Sequence, residues 1–415
     1  MSARTLLVVC GGAEAVPGIE AVKRLGVRVV VSDRDPDAPG FAVADDRILE
    51  STYDAAATAA AAASYAARRG LHGVLSIAAD VPKTVAAVAA RLGLPGPSAE
   101  TAELATDKLA MKERFAAAGV PVPWFAPLES AAHLALLRAE RRAPLVVKPV
   151  DSRGARGVLV VGAETEAAFA FECARAHSPS GRVMVEEFLP GPQISTESAI
   201  LAGRVHTCGF SDRNYEELAR FAPYVIEDGG CQPSVHLETA RAAADEVLQR
   251  AAAAIGLARG TLKGDLVLVP GRGPVVIEVA PRLSGGWLAT DQIPLSTDVD
   301  LVQVAARLAL GEEVRAEEAT PRAWRPVAVR YFFPPPGRLV AVRGADAAAR
   351  APGVRRLALF ARPGDVLGRV TDHTKRAGMV LTTGATREEA VARARSAVRA
   401  VEFEVEDTAA PADRA

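Results

Sequence analysis

Residues 260–286 read GTLKGDLVLVPGRGPVVIEVAPRLSGG. Two apolar runs, Leu262 to Val269 and Pro274 to Val279, flank the turn PGRG, the pattern of a β-hairpin. Each run carries an acid near its centre, Asp265 and Glu278. Antiparallel pairing across so short a turn can bring both carboxylates onto one face, because side chains alternate with period two. Two buried carboxylates side by side repel unless a cation lies between them. Hard oxygen donors without thiolate or imidazole favour Mg²⁺. The alternative is that one acid faces solvent and the hairpin is only structural.

Upstream, PLVVKPV and GVLVV are β-branched runs separated by DSRGARG, a glycine-containing hairpin loop. Lys148 ends the first run. A lysine there is costly to desolvate unless an anion compensates it, and Gly154 and Gly157 in the following loop let backbone N–H groups approach phosphates. A lysine beside a glycine turn can equally be structural. A helix over 164–176, the strand RVMVEEFLPG and the alternating ISTESAILAGRV follow, so the middle third reads as antiparallel β with helices. Residues 101–138 read as two helices, the second running from Lys108 to Ala118.

The first hundred residues differ in class. A strand from Thr5 to Cys10, the turn Gly11-Gly12, a helix to Leu25 and the strand VRVVVSD begin a strand–helix alternation that continues with a helix over 54–69, a strand over 73–77 and a helix over 81–92, the signature of an open parallel α/β domain. Asp33 ends the second strand, as in dinucleotide-binding domains. GGAEAVPG lacks the third glycine of G-x-G-x-x-G and places Pro17 at the helix start, so NAD binding is not expected. After a helix over 300–310 and the acidic run EEVRAEEATPR, the strands VAVRYFF, RLVAVRG and VRRLALF with a helix over 386–401 form a small α+β unit. EDTAAPADRA lacks an apolar face and is expected to be disordered. The fold class is thus α/β and α+β: an N-terminal domain over 1–100, a central domain over 101–310 with a lid over roughly 140–192, a C-terminal domain over 311–405 and a tail over 406–415.

Composition narrows the function classes. The chain has 415 residues, 49% apolar and 24% charged, which suits two to four globular domains and excludes global disorder. A formal charge of -1 leaves no net basic field for nucleic acid or an anionic membrane, so a bound anion needs a local site. The four cysteines form no C-x-x-C pair and the histidines no zinc spacing. The N-terminus is too short in apolar residues for a signal, and the alanine-rich run over 55–67 is too interrupted for a membrane span, so a cytoplasmic location is expected.

The ordered set Lys108, Lys148 with its glycine loop, VEEFLPGPQ, Asp265 and EVAPRLSGG resembles the ATP-grasp superfamily over about 100–310, and the first hundred residues resemble the α/β domain that precedes it. The tail from PVAVRYFF to ATREEAVARA resembles the C-terminal domain of L-amino acid ligases. The resemblance implies ATP and Mg²⁺ as cofactors. It matches Lys108 and Lys148 to the phosphates, Ser152 and Gly154 to the lid, and Glu186, Glu187 and Leu189 to the adenine edge. Gln193 falls at the ribose, where many members have glutamate. Asp265 and Glu278 match the metal ligands, Arg282 the transferred phosphoryl group, and Ser284, Gly285 and Gly286 a backbone loop facing the acceptor. Ala280 stands where many members have an asparagine that helps hold Mg²⁺. Glu227 in YVIEDGGCQPS matches a residue that positions the amino acid substrate, but Gly230 replaces an expected histidine and should leave a void, unless Gln232 fills the role. The implied function is an ATP-dependent carboxylate–amine ligase acting through an acyl phosphate on small-molecule carboxylate and amine substrates, with a homodimer as the candidate assembly and no nucleic acid or membrane partner. A bicarbonate-activating carboxylase and a non-catalytic ATP-binding regulator are the alternatives.

Overall fold

The computed structural model describes residues 4–407. Two compact units are each built from separated stretches of chain. The first comprises the residues up to Val122, Pro190–Phe210 and Val235–Trp324, and the second Pro123–Leu189, Ser211–Ser234 and the chain from Arg325 on.

In the first unit, four parallel strands lie in the order Asp46–Leu49, Arg28–Asp33, Thr5–Val9, Gly73–Ser76. Their apolar runs are nearly continuous because both faces are covered. Leu6, Val8, Val29 and Val31 pack with Ile19 and Val22 of helix Val16–Lys23 and with Leu301 and Leu308 of helix Leu301–Ala309. Leu7, Val9 and Val30 turn the other way, towards helices Ala55–Arg69 and Pro82–Leu92. The turn after the first strand needs glycine at position 11, since a Cβ there would lie 2.8 Å from the Val31 side chain. Asp33 braces that turn by accepting from the Gly11 N–H at 2.9 Å.

The same unit holds the hairpin. Gly260–Val269 pairs antiparallel with Gly273–Ala280 on one edge and with Gln193–Leu201 on the other, and Gln193–Leu201 neighbours Arg204–Asn214. Leu262 and Leu266 face helix Leu237–Ala254, packing among Ala244, Val247, Leu248 and Ala251. Gly264 lies between them, where a Cβ would approach Leu248 Cδ2 to 2.5 Å and Thr196 Oγ1 to 2.8 Å. Helix contact on one face therefore leaves Lys263 and Asp265 on the opposite face.

The second unit contains the antiparallel sheet Phe125–Leu128, Val183–Glu187, Leu145–Pro149, Leu159–Val161. Leu134, Leu137, Ala170 and Ala174 of helices Ala131–Arg141 and Ala167–Ala176 cover it. It also contains the antiparallel series Gly229–Gln232, Val327–Phe332, Gly378–Thr383, Val354–Leu359, with Ala390 and Ala394 of helix Arg387–Ala400 packed on Cys231 and Ala328.

Several elements depart from the sequence reading. Residues 101–138 hold helices Ala99–Thr106 and Lys108–Ala117, then a strand at Phe125–Leu128 and the start of a third helix at Ala131. The strand was hidden by Pro127, which an edge strand tolerates. The final strand Glu402–Glu406 includes the first residue expected to lack order, and residues 408–415 lie outside the described residues.

Gly264→Val is expected to lower stability by about 1–3 kcal/mol or more through overpacking against Leu248 and Thr196. A urea midpoint unchanged from the parent would mean that the helix does not seat on this strand as described.

Candidate active site

In the first unit the register pairs Asp265 directly with Glu278, as the hairpin reading requires. Asp265 is buried, and its Oδ1 accepts from Ser195 Oγ at 2.9 Å. Lys263, two residues back on the same face, forms a short ion pair with Asp265 and reaches to 4.0 Å from Glu278. Lys108 opens helix Lys108–Ala117, whose first turn is capped by the Asp107 carboxylate, and its Nζ lies 3.6 Å from Glu278. One turn on, the buried Lys112 donates to the Ile277 carbonyl at 3.0 Å. Gln193 stands at the start of its strand opposite Val267.

The segment after Glu278 is held by carboxylates the sequence reading missed. Glu197 lies in the centre of strand Gln193–Leu201, has no exposed surface, and accepts from the Ser284 N–H at 2.6 Å. Glu14, from the glycine turn of the parallel sheet, accepts from the Gly286 N–H at 2.5 Å. Two backbone donors of the loop expected to face an acceptor are thus committed to internal carboxylates. Arg282 lies 3.7 Å from Asp80. Burial pushes the Glu197 carboxyl up to about 7, against the opposing pull of the Ser284 N–H and hydroxyl, Arg282 and Lys263.

In the second unit, Lys148 and Glu186 form an ion pair at 2.6 Å in which both side chains are almost wholly buried, 4% and 3% exposed. Their strands are direct neighbours, so the cost of desolvating either charge is offset by the other. Glu186 is therefore the counter-ion of Lys148, and Glu187 accepts from the Trp124 N–H at 3.1 Å. Leu189 is buried. Ser152 and Gly154 lie in the loop between strands Leu145–Pro149 and Leu159–Val161, where Gly154, Ala155 and Gly157 adopt positive φ. The Gly154 carbonyl accepts from the His373 N–H at 3.0 Å.

Glu227 lies in the second unit between two guanidinium groups, with Arg213 at 2.7 Å and Arg376 at 3.8 Å, and Arg376 also donates to the Glu227 carbonyl at 2.7 Å. Gly230 does not leave a void. It is buried in strand Gly229–Gln232, and a Cβ there would lie 3.0 Å from the Asp212 carbonyl oxygen. The flanking strand already occupies the space in which the sequence reading placed an enlarged pocket.

Residues 105–286 match the ATP-grasp domain, residues 19–96 the ATP-grasp N-terminal domain and residues 330–406 the L-amino acid ligase C-terminal domain 2. A formate-dependent phosphoribosylglycinamide formyltransferase of Burkholderia lata is 30% identical over 410 residues, covering 96% of this chain and 95% of its own. The chain belongs to the ATP-grasp family of ligases. An uncharacterised protein of Sinorhizobium fredii is also 30% identical, over 395 residues, covering 93% of this chain and 80% of its own. The crystal structure of an L-amino acid ligase from Bacillus licheniformis shares the fold, with a TM-score of 0.83, 22% identity and coverage of 98% and 100%. As an ATP-grasp ligase the chain is an enzyme that forms carbon–nitrogen bonds, with a parallel α/β N-terminal part, an ATP-grasp core and a small α+β C-terminal part. Among the described residues no helix is long and apolar enough to cross a membrane.

Because the folded-state pKa of Glu197 is raised, its contribution favours folding below the unfolded value of about 4.5 and is lost as pH rises through about 7. Ionising it costs on the order of 3 kcal/mol. Glu197→Gln should therefore flatten the fall in stability between pH 5 and pH 8, read from urea midpoints. Parallel pH profiles for variant and parent would show that Glu197 is ionised in the fold.

Proposed function

We propose that this chain is an ATP-dependent carboxylate–amine ligase that forms an amide or peptide bond on an amino acid or specialised-metabolite substrate, with modules over 1–100, 101–310 and 311–405. The observation that carries the reading is the direct cross-strand pairing of Asp265 with Glu278, with Lys108 and Lys263 beside them. Two hard-oxygen donors on one face fit Mg²⁺. Among the described residues no three His, Cys, Asp or Glu side chains group as a cage, which suits an ion that takes its remaining oxygens from phosphates and water. Asp265 and Glu278 would hold Mg²⁺, which supplies charge neutralisation on the phosphates when bound.

Substrate carboxylate oxygen attacks the γ-phosphorus of ATP, the bond to the β-phosphate oxygen breaks, and acyl phosphate and ADP form. Amine nitrogen then attacks the acyl carbon, the carbon–oxygen bond to phosphate breaks, and the nitrogen loses its proton. No side chain need act as nucleophile, so positioning and electrostatics carry the rate. In this reading Lys108 and Lys148 bind phosphate oxygens, with Ser152 and Gly154 in the covering loop. Glu186, Glu187, Leu189 and Gln193 line the nucleoside, with Glu186 also the ion-pair partner of Lys148. Arg282 steadies the transferred phosphoryl group. Glu14 and Glu197 fix the segment over 284–286 that follows it. Glu227, between Arg213 and Arg376, receives the amino acid.

With purified protein, ATP and Mg²⁺, ADP release should depend on both a carboxylic acid and an amine, and mass spectrometry should find their condensation product. Release that requires bicarbonate instead would favour a carboxylase. Glu278→Gln should cut ADP formation at least ~100-fold with an unchanged circular dichroism spectrum, as loss of a charge-stabilising group in the transition state does. Turnover near that of the parent would remove Glu278 from the site.

A further inference from the structure

Lys263 has no place in the functional set read from the sequence, yet it occupies the centre of the acidic face. On its strand it shares a side with Asp265, as residues two apart do. Across the neighbouring strands, Asp265 is paired with Ser195 and Glu278, whereas Lys263 is paired with Glu197 and Ala280. The face is thus a lattice with Ser195, Asp265 and Glu278 at one level and Glu197, Lys263 and Ala280 at the next, where Glu197 is committed to the Ser284 N–H. Lys263 joins Asp265 in a short ion pair, reaches to 4.0 Å from Glu278 and is 14% exposed, so its ammonium is a cation already installed beside both carboxylates. Ala280 presents only a methyl group opposite Lys263. The position where the family resemblance leads one to expect an oxygen donor has none, and the small residue leaves room for the lysine.

Phosphoryl-transfer sites neutralise the polyphosphate with one or two divalent ions. Here the two carboxylates contribute two negative charges, and Lys263 and Lys108 offset them before any ion arrives. A first divalent ion can exploit the phosphates, but a second would meet a fixed ammonium and lack the oxygen donor missing at Ala280. We propose that the Lys263–Ala280 pair replaces a second metal ion, so that this site takes one divalent cation per bound nucleotide, with Lys263 as a fixed charge that positions the phosphates. The inference rests on the ligase reading above and deepens it.

The test counts Mn²⁺ bound to the full-length protein saturated with a nonhydrolysable ATP analogue, from the electron paramagnetic resonance signal of free Mn²⁺. The parent should bind one Mn²⁺ in all per protein-bound nucleotide, once the Mn²⁺ held by unbound nucleotide is subtracted, and Lys263→Arg should do the same. Lys263→Ala should tighten that Mn²⁺ at least fivefold, and Lys263→Ala combined with Ala280→Asn should bind two. Two ions in the parent, unchanged or weaker Mn²⁺ affinity in Lys263→Ala, or one ion in the double variant would overturn the proposal. The count in the parent needs no variant to fold. Failure of the parent to bind the nucleotide with Mn²⁺ at all would remove the ligase reading and this inference together, whereas binding with two ions removes only the inference.

Discussion

Direct opposition of Asp265 and Glu278 on adjacent strands is the constraint on which the rest of the site depends. Two carboxylates held at one register level are tolerable only beside positive charge. The surroundings supply it from separate elements: Lys263 from the same strand as Asp265 and Lys108 from a helix start. The apolar half of the same strands explains why the acids cannot escape to the other face. Leu262, Gly264 and Leu266 are committed to helix Leu237–Ala254, and a slip of one residue would bury the charges against it.

A second level of organisation lies in how carboxylates are used as struts. Glu197 and Glu14 come from unrelated parts of the first unit, a β-strand centre and a glycine turn, and both end on backbone N–H groups of the segment over 284–286. In the second unit Glu186 fulfils a similar duty towards Lys148, and Glu227 is held between Arg213 and Arg376. Buried polar groups of this kind add little net stability, but they fix geometry, because each must keep its partner or bear the desolvation penalty. The glycine turn, which resembles half of a dinucleotide fingerprint in sequence, thereby serves another purpose. Asp33 braces the turn, and Glu14 projects from it to hold Gly286.

Much of this was legible in the sequence wherever a single local period decided the outcome. The two apolar runs around Asp265 and Glu278 with their short turn, the strand–glycine–helix start and the apolar parallel strands each carry their own signal. Lys263 and Glu197 were not legible, because their meeting depends on the register of a strand some 65 residues away, which no local pattern states. An acid in the middle of the alternating stretch ISTESAIL was the one available hint for Glu197. The void expected at Gly230 failed for a related reason: the carbonyl of Asp212, from the neighbouring strand, fills the space that a missing side chain was expected to leave. The strand Phe125–Leu128 was hidden by Pro127 at a sheet edge, where the missing N–H costs nothing.

The most direct test of the paired-carboxylate site is a crystal structure of the protein with a nonhydrolysable ATP analogue and Mn²⁺, with the metal located by its anomalous scattering. One anomalous peak is expected, ligated by both Asp265 and Glu278 and by phosphate oxygens at about 2.0–2.3 Å, with Lys263 still beside the carboxylates. A metal bound by phosphates alone, or ligated elsewhere in the chain, would contradict the claim that this acidic pair is the centre of the site.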